Sequence, residues 1–368
     1  MKNMFFYGTL RHVPLLEIVI GCGADTLTLA PSTLSGYQVS GVSQGPFPMI
    51  AAAPGQTATG LLVEGLSEAD IARIDYYEGS FAYDLVAVTL DRGQRGQVYL
   101  PQPDLWTPTG PWSLEDWQAD WAAMSCHAAR EVMGYFGTKT RDEVAGMFPM
   151  IRARAASKVR AAKSIHGELT LAGSAEILSR SRPYAHFFAL DDLTLTHDRF
   201  DGTRSDEIER AVFMATDATI VLPYDPVRDR VLLVEQFRVG PLARGDATQW
   251  QLEPIAGHID AGETPRDAAL REAQEEAGLT LHHLEKVAEV YATPGTSTEF
   301  YYIFLGLTDL PDDIIGIGGL TSEGEDIRSH LMAFDDLMGF VDRFSAANTP
   351  LVLSALWLAR HRERLRSR

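Results

Sequence analysis

Three glutamates, Glu272, Glu275 and Glu276, crowd one nine-residue stretch of this chain, and Glu263 precedes them by nine positions. In a helix, positions 272 and 276 project from the same face and 275 lies one turn from 272. Like charges at that spacing destabilise a bare helix. A solvated acidic face partly balanced by Arg271 would be the plain explanation, but a divalent cation relieves the repulsion better, because Mg²⁺ and Mn²⁺ prefer hard carboxylate oxygens. The chemistry such a cluster could do is to grip cations that in turn grip a phosphorylated substrate.

The surrounding residues predict the helix. Thr264 suits the N-cap, Pro265 the first helical position, Asp267 the first turn, and Gly278 the stop, which gives Pro265 to Ala277. The glutamates belong to a longer spacing: Gly257, five residues, Glu263, seven residues, Arg271-Glu272, then Glu275-Glu276 and Gly278. At ordinary residue frequencies those seven fixed letters coincide by chance roughly once in 10⁸ to 10⁹ starts.

That stretch, Gly257 to Leu279, resembles the Nudix box G-x5-E-x7-R-E-U-x-E-E-x-G-U at every fixed letter, with Ala273 at the first U. The resemblance implies a loop–helix–loop holding two or three Mg²⁺ or Mn²⁺ ions against a diphosphate. Glu272, Glu276 and the carbonyl of Ala256 would be ligands, and Arg271 and Glu263 would brace the loop and helix. Pro294, 15 residues beyond Leu279, and the segments Leu222–Asp229, Val234–Arg238, Trp250–Glu253 and Gly319–Ile327 resemble the ADP-ribose pyrophosphatases within that family. By that likeness Arg238 and Arg210 would contact diphosphate or ribose, and Glu299 the terminal ribose. Phe187 and Phe188 would pack on adenine from the partner subunit of a homodimer. Glu323 would be the general base, on a loop made flexible by Gly316-Ile317-Gly318-Gly319, and Glu325 would complete a metal site. The implied reaction is hydrolysis of ADP-ribose to AMP and ribose 5-phosphate. Another ADP-sugar or a dinucleotide would be the alternative substrate, and a non-hydrolysing ADP-ribose sensor the alternative class.

Near the N-terminus, Tyr7-Gly8-Thr9-Leu10-Arg11 follows a short strand, and Ile74-Asp75-Tyr76-Tyr77-Glu78-Gly79 comes later. With Gly45-Pro46-Phe47-Pro48 and Ala82-Tyr83 these resemble the γ-glutamylcyclotransferase-like fold. The resemblance implies that the Tyr7–Leu10 loop offers amide N–H groups to a carboxylate and that Glu78 is the acid/base. It also departs from the family, since Asp84 stands where an arginine is common. The segment would then be either a γ-glutamylamine cyclotransferase or an inactive dimerisation module. The pairing of the two segments resembles the tellurite-resistance-associated two-domain Nudix proteins.

The elements that must position these residues divide the 368-residue chain into three. Residues 1–110 read as short strands (Met4–Tyr7, Gly60–Val63, Leu85–Leu90, Gln97–Leu100) with one helix over Ile71–Tyr76. Residues 111–165 read as a helical connector opening at Ser113, its aromatic stripe taken as packing. Residues 166–368 mix strands, at Gly167–Leu171, Phe187–Leu195, Ala218–Leu222, Val231–Phe237, Trp250–Ile255, Lys286–Tyr291 and Phe300–Leu307, with helices at Pro265–Ala277, Phe334–Ser345 and Pro350–Arg364. The fold class expected is α+β: a small β-barrel-like N-terminal domain, the connector, and an α/β/α sandwich.

A net charge of −18 argues against nucleic acid as a partner, because phosphate backbones need clustered Lys and Arg. No apolar run reaches the ~20 residues of a membrane span, so no membrane is expected. Cys22 and Cys126, the only cysteines, make no disulfide framework. With no export signal evident, a cytoplasmic enzyme acting on a small nucleoside diphosphate sugar is the expectation.

Overall fold

The computed structural model describes residues 1–78, 83–163, 173–320 and 324–367. The expected strand at Gly167–Leu171 and the expected base Glu323 lie outside the described residues. The chain divides into two compact units, Met1–Ile165 and His166–Arg368. Among the described residues, no helix is long and apolar enough to cross a membrane.

In the first unit β1 (Lys2–Phe6) is followed by a 3-10 turn (Thr9–Arg11) and α1 (Val13–Ile20). Two long strands come next, β2 (Thr28–Val42) and β3 (Gly45–Leu66), then α2 (Glu68–Glu78), β4 (Tyr83–Thr89), β5 (Arg95–Pro101) and β6 (Pro108–Pro111). The six strands form one sheet in the order β4-β5-β1-β3-β2-β6. It runs from edge to edge without closing among the described residues, which corrects the barrel-like expectation. β2 and β3 pair with each other in antiparallel register from Thr28↔Glu64 to Val42↔Gly45, and β4 and β6 stand at opposite edges.

Residues 111–165, expected as a connector, fold within this same unit as α3 (Leu114–Gly134) and α4 (Arg141–Ala161). Ser113 caps α3, and Thr140 with Glu143 forms a capping box on α4. Trp117, Ala122, Cys126 and Ala129 of α3 share a core with Met4, Leu15, Leu16 and Ile74. Burial of that face, at roughly 1.5–3 kcal/mol for a fully buried large side chain, is what draws α3 onto the sheet's companions. A buried ion pair, Arg154 Nη2 to Glu131 Oε1 at 2.6 Å, ties α4 to α3.

The second unit begins with a three-stranded antiparallel sheet, β7 (Ala175–Ala185), β8 (Ala189–His197) and β9 (Ile208–Met214). Its larger sheet contains β10 (Asp217–Asp225), β11 (Arg230–Phe237), β12 (Trp250–Glu253), β13 (Ile255–His258), β14 (His283–Tyr291), β15 (Phe300–Leu307), β16 (Ile317–Gly318) and β17 (Ile327–Ala333). The path runs β14-β15-β10-β11-β17-β16, with β12 added to β11 and β13 to β10. Between them lie α5 (Val239–Arg244), α6 (Pro265–Ala277), α7 (Phe334–Asp342) and α8 (Thr349–Arg366).

Both faces of the sheet are covered, so its central strands are apolar throughout rather than alternating. Leu222 and Leu233 pack with Phe334, Leu337, Leu351 and Leu358 of α7 and α8. Their chain neighbours Val221 and Leu232 point the other way and pack with Ala269 and Ala273 of α6. The result is helix, sheet, helix: the α/β/α arrangement.

Candidate functional site

Helix α6 spans the residues that its signals predict. Thr264 Oγ1 accepts from the amide of Asp267 at 3.2 Å, and Gly278 ends the helix at φ 63°, a left-handed geometry that favours glycine. Upstream, Pro254 interrupts what the sequence reads as one strand over Trp250–Ile255. Having no N–H, it cannot continue the ladder. β12 therefore pairs with β11 through Val234↔Glu253, and β13 pairs with β10 through Ile220↔Ala256 and Thr219↔Gly257. That switch brings Ala256 and Gly257 against α6. A Cβ on Gly257 would stand 1.9 Å from Glu272 Oε1, so only glycine lets the carboxylate lie there.

Arg271 gathers the acidic side chains. Its Nε and Nη2 reach Glu263, each at 2.9 Å, Nη1 reaches Glu272 at 2.7 Å and Glu275 at 2.9 Å, and Nη2 also donates to the carbonyl of His258 at 3.0 Å. Glu276 is only 2% exposed; the amide of Ala256 bonds its carboxylate, yet Oε2 is buried without a hydrogen-bond partner. Burial pushes its pKa up to about 9, with Glu272 and Glu325 adding to the rise. Burial likewise pushes Glu272 up to about 7, against the opposing pull of Arg271.

An unpartnered, buried carboxylate oxygen beside a second carboxylate fits a divalent cation: ionisation is costly for the bare protein and is favoured once a hard cation supplies the counter-charge. Among the described residues no three of His, Cys, Asp and Glu form a complete metal-ligand group. Glu272, Glu276 and the backbone of Ala256 are therefore the donors in hand, with Glu325 close enough to raise the pKa of both glutamates.

Glu325 is fixed by its own loop. Its Oε2 accepts from the amide of Leu320 at 3.0 Å, and its amide donates back to the carbonyl of Leu320 at 3.2 Å. Of the glycines read as a hinge, Gly318 has a packing role: its Cβ would lie 2.2 Å from the carbonyl oxygen of Glu276, so the strand can cross the end of α6 only without a side chain.

Arg238 stands at the residue before α5 and pairs with Glu253, Nη2 to Oε2 at 2.5 Å; Asn348 donates to the other oxygen of Glu253 at 3.0 Å. Glu299 has its pKa raised by burial and is hydrogen-bonded by Tyr301. Phe187 and Phe188 stand with ring centroids 4.8 Å apart and lie 5.7 and 6.3 Å from His258. Arg210 is exposed on β9 and donates to the carbonyl of its neighbour Glu209 at 2.7 Å. The sequence reading gave His258, Glu253 and Asn348 no part. His258 occupies a variable position of the Gly257–Leu279 motif, and Asn348 is 95 residues from Glu253, so neither carried a local signal.

The first unit holds a separate cavity of about 130 Å³, lined by Tyr7 to Leu10, Pro46 to Pro48, Tyr77, Glu78, Tyr83, Tyr99 and residues of α3 and α4. Burial pushes Glu78 up to about 7 and raises Tyr7, Tyr77, Tyr83 and Tyr99. Tyr99 donates to Asp75.

This fold and this acidic helix define a Nudix protein. The family model described as NUDIX domain matches residues 214–352, and the model described as Gamma-glutamyl cyclotransferase, AIG2-like, matches residues 4–119. The chain is 38% identical over 192 residues to an ADP-ribose pyrophosphatase of Escherichia coli (strain K12), covering 52% of this chain and 91% of the relative. It is 35% identical over 185 residues to the ADP-ribose pyrophosphatase of Haemophilus influenzae (50% and 85% covered). To a GDP-mannose pyrophosphatase of Yersinia pestis (strain Pestoides F) it is 33% identical over 129 residues (35% and 62% covered). The chain belongs to the Nudix family, in the branch of those ADP-ribose pyrophosphatase relatives.

Proposed function

We propose that the second unit hydrolyses the diphosphate of ADP-ribose, giving AMP and ribose 5-phosphate. The observation that carries the reading is the pair on one face of α6, Glu276 buried beside Ala256 and Glu272 half-buried against Gly257. Glu272, Glu276, the carbonyl of Ala256 and Glu325 would hold two to three Mg²⁺ or Mn²⁺ ions. Bound there, the ions would neutralise the diphosphate and make water a better nucleophile.

The remaining work falls to this chain's own side chains. Water adds to one phosphorus, the bridging P–O bond breaks, and the water proton goes to Glu323 as general base. Arg238, aimed by Glu253, binds a diphosphate oxygen, with Arg210 as a second candidate from β9; Glu299 accepts from the terminal ribose. Phe187 and Phe188 pack on adenine. The chain acts as a homodimer joined through the β7–β9 sheet, whose strand β7 leaves the apolar side chains of Ile177 (57% exposed), Leu178 (45%) and Tyr184 (57%) open. Two free thiols, Cys22 and Cys126, favour a reducing cytoplasm. Phosphatase-coupled phosphate release from ADP-ribose, GDP-mannose, other ADP-sugars and dinucleotides, with and without Mg²⁺, tests this. ADP-ribose should lead by kcat/KM, and preference for another compound would reassign the substrate.

We propose for the first unit a γ-glutamylamine cyclotransferase, favoured over a mere dimerisation module by a carboxyl group with its pKa near 7 on a cavity wall. The substrate's α-amino nitrogen bonds to its own γ-carbonyl carbon, the γ-amide C–N bond breaks, and 5-oxoproline and an amine leave. Glu78 takes the proton from the attacking nitrogen and delivers it to the departing one. The amides of the Gly8–Leu10 turn, at the start of a helical turn, bind the substrate carboxylate.

A further inference from the structure

Asn348 is the residue before α8, and its side-chain amide serves two neighbours at once. Oδ1 accepts from the amide of Leu351 at 3.0 Å, and Nδ2 donates to Glu253 Oε1 at 3.0 Å. Only one orientation of the amide satisfies both, since an N–H faces one end and a carboxylate the other. The helix behind it is fixed: Leu351, Ala355 and Leu358 are fully buried and pack with Leu222 and Leu233 of the sheet. Glu253 lies 95 residues away in the chain, at the end of β12.

The pairing of Glu253 with Arg238 departs from the usual fork. An arginine and a carboxylate ordinarily meet through two parallel bonds, one to each oxygen. Here Arg238 Nε, at 2.8 Å, and Nη2, at 2.5 Å, both converge on Oε2, and Oε1 is left to Asn348. The side chain of Glu253 is 7% exposed and that of Arg238 40%, so the carboxylate is enclosed while part of the guanidinium stays open to a ligand. Among the described residues, Nη1 of Arg238 has no hydrogen-bond partner. The charges of Glu276 and Glu325 also act on Arg238, which places it near the carboxylates proposed to hold cations. Without the Asn348 amide, Oε1 would be an enclosed acceptor with no partner, and turning the carboxylate into a two-oxygen fork with Arg238 would satisfy it. That turn carries the guanidinium with it, and about an ångström of displacement is enough to spoil a contact with substrate.

We propose that Asn348 is a positioning residue for the hydrolase: it reserves Oε1 of Glu253, holds Arg238 to the other oxygen, and so fixes the guanidinium where it binds the diphosphate. The role rests on the diphosphate contact proposed for Arg238.

The test uses the full-length protein and two substitutions that keep a good N-cap but lose the donor, Asn348→Ser and Asn348→Asp, each alone and combined with Arg238→Met. Serine ends one bond short of Glu253, and an ionised aspartate offers only acceptors. With Mg²⁺ and ADP-ribose, both should raise KM about tenfold and leave kcat within about threefold, with Tm changed by only a few degrees. In the Arg238→Met background the same substitutions should change KM by less than about twofold, because the group they aim is gone. Equal factors in both backgrounds, a KM that does not move, or a loss carried by kcat alone would overturn the role. If the wild type does not cleave ADP-ribose, the hydrolase reading fails, and calorimetric affinity for ADP-ribose with Mg²⁺ decides in its place. A Kd weakened by both substitutions only while Arg238 is present upholds the positioning role; equal weakening in both backgrounds, no weakening, or no binding overturns it.

Discussion

The Cβ that Gly257 lacks would sit 1.9 Å from Oε1 of Glu272, so the carboxylate on α6 fills the space that a side chain on β13 would need. Gly257→Ala should therefore push the Glu272 carboxylate aside while leaving the fold intact. We expect kcat on ADP-ribose to fall by about 10²-fold, the scale of an ångström-size misplacement, with a Tm change of only a few degrees. Steady-state kinetics beside a melting curve check this.

Glu276 gives a pH signature in the metal-free protein. Its folded pKa, about 9, lies above the ordinary value of 4.5, so the folded state holds a proton that the unfolded state has released across that interval. The stabilising contribution is full below about 4.5 and is lost as pH rises toward 9. In EDTA, Tm should decline from pH 5 to 9, and Glu276→Gln should flatten the decline. Mg²⁺ should reverse it by favouring the ionised form. A decline as steep in the variant as in the wild type would remove Glu276 as its cause.

Arg271 bonds Glu263, Glu272 and Glu275 together. Replacing it with Ala leaves partly buried carboxylates facing one another, and we expect a loss of about 2–3 kcal/mol in chemical denaturation. Arg271→Lys should recover less than half of that, since an ammonium cannot reproduce the fork that spans Glu263.

The residues of α6 were legible because each signal was local: a cap, a proline, a spacing of four and a terminal glycine agree over fifteen positions. Phe300–Leu307, a short apolar run buried on both faces, was legible for the same reason. The β2–β3 pair was not. Gly45-Pro46-Phe47-Pro48 and Ala53-Pro54-Gly55 carry residues that disfavour a strand interior, and only pairing with β2 makes them part of β3. Helix α1, Val13–Ile20, is too uniformly apolar at its core positions for a helical stripe to show. β7 is exposed along most of its length, so alternation had nothing to report. Within the sites, the pairing of Arg238 with Glu253, the packing of His258 against Phe187 and the closure of the Glu78 cavity by α4 all depend on chain segments far apart in sequence.

Glu323→Gln should keep magnesium affinity in calorimetric titration and lose about 10²-fold or more in turnover, the share of a positioned general base. Turnover equal to the wild type would remove Glu323 from the reaction.

In the first unit, Glu78 should impose a rising limb on 5-oxoproline formation. The base form grows as pH passes about 7, so kcat/KM should climb from pH 6 to 8 and level off above it. Glu78→Gln should abolish the activity at every pH.

The central claim is that the carboxylates of α6 hold cations against a diphosphate. A crystal grown with magnesium and a non-cleavable ADP-ribose analogue addresses it directly. Density for ions about 2.0–2.1 Å from oxygens of both Glu272 and Glu276, bridging to the diphosphate, is the predicted result. An analogue bound with no ion on that helix would contradict it.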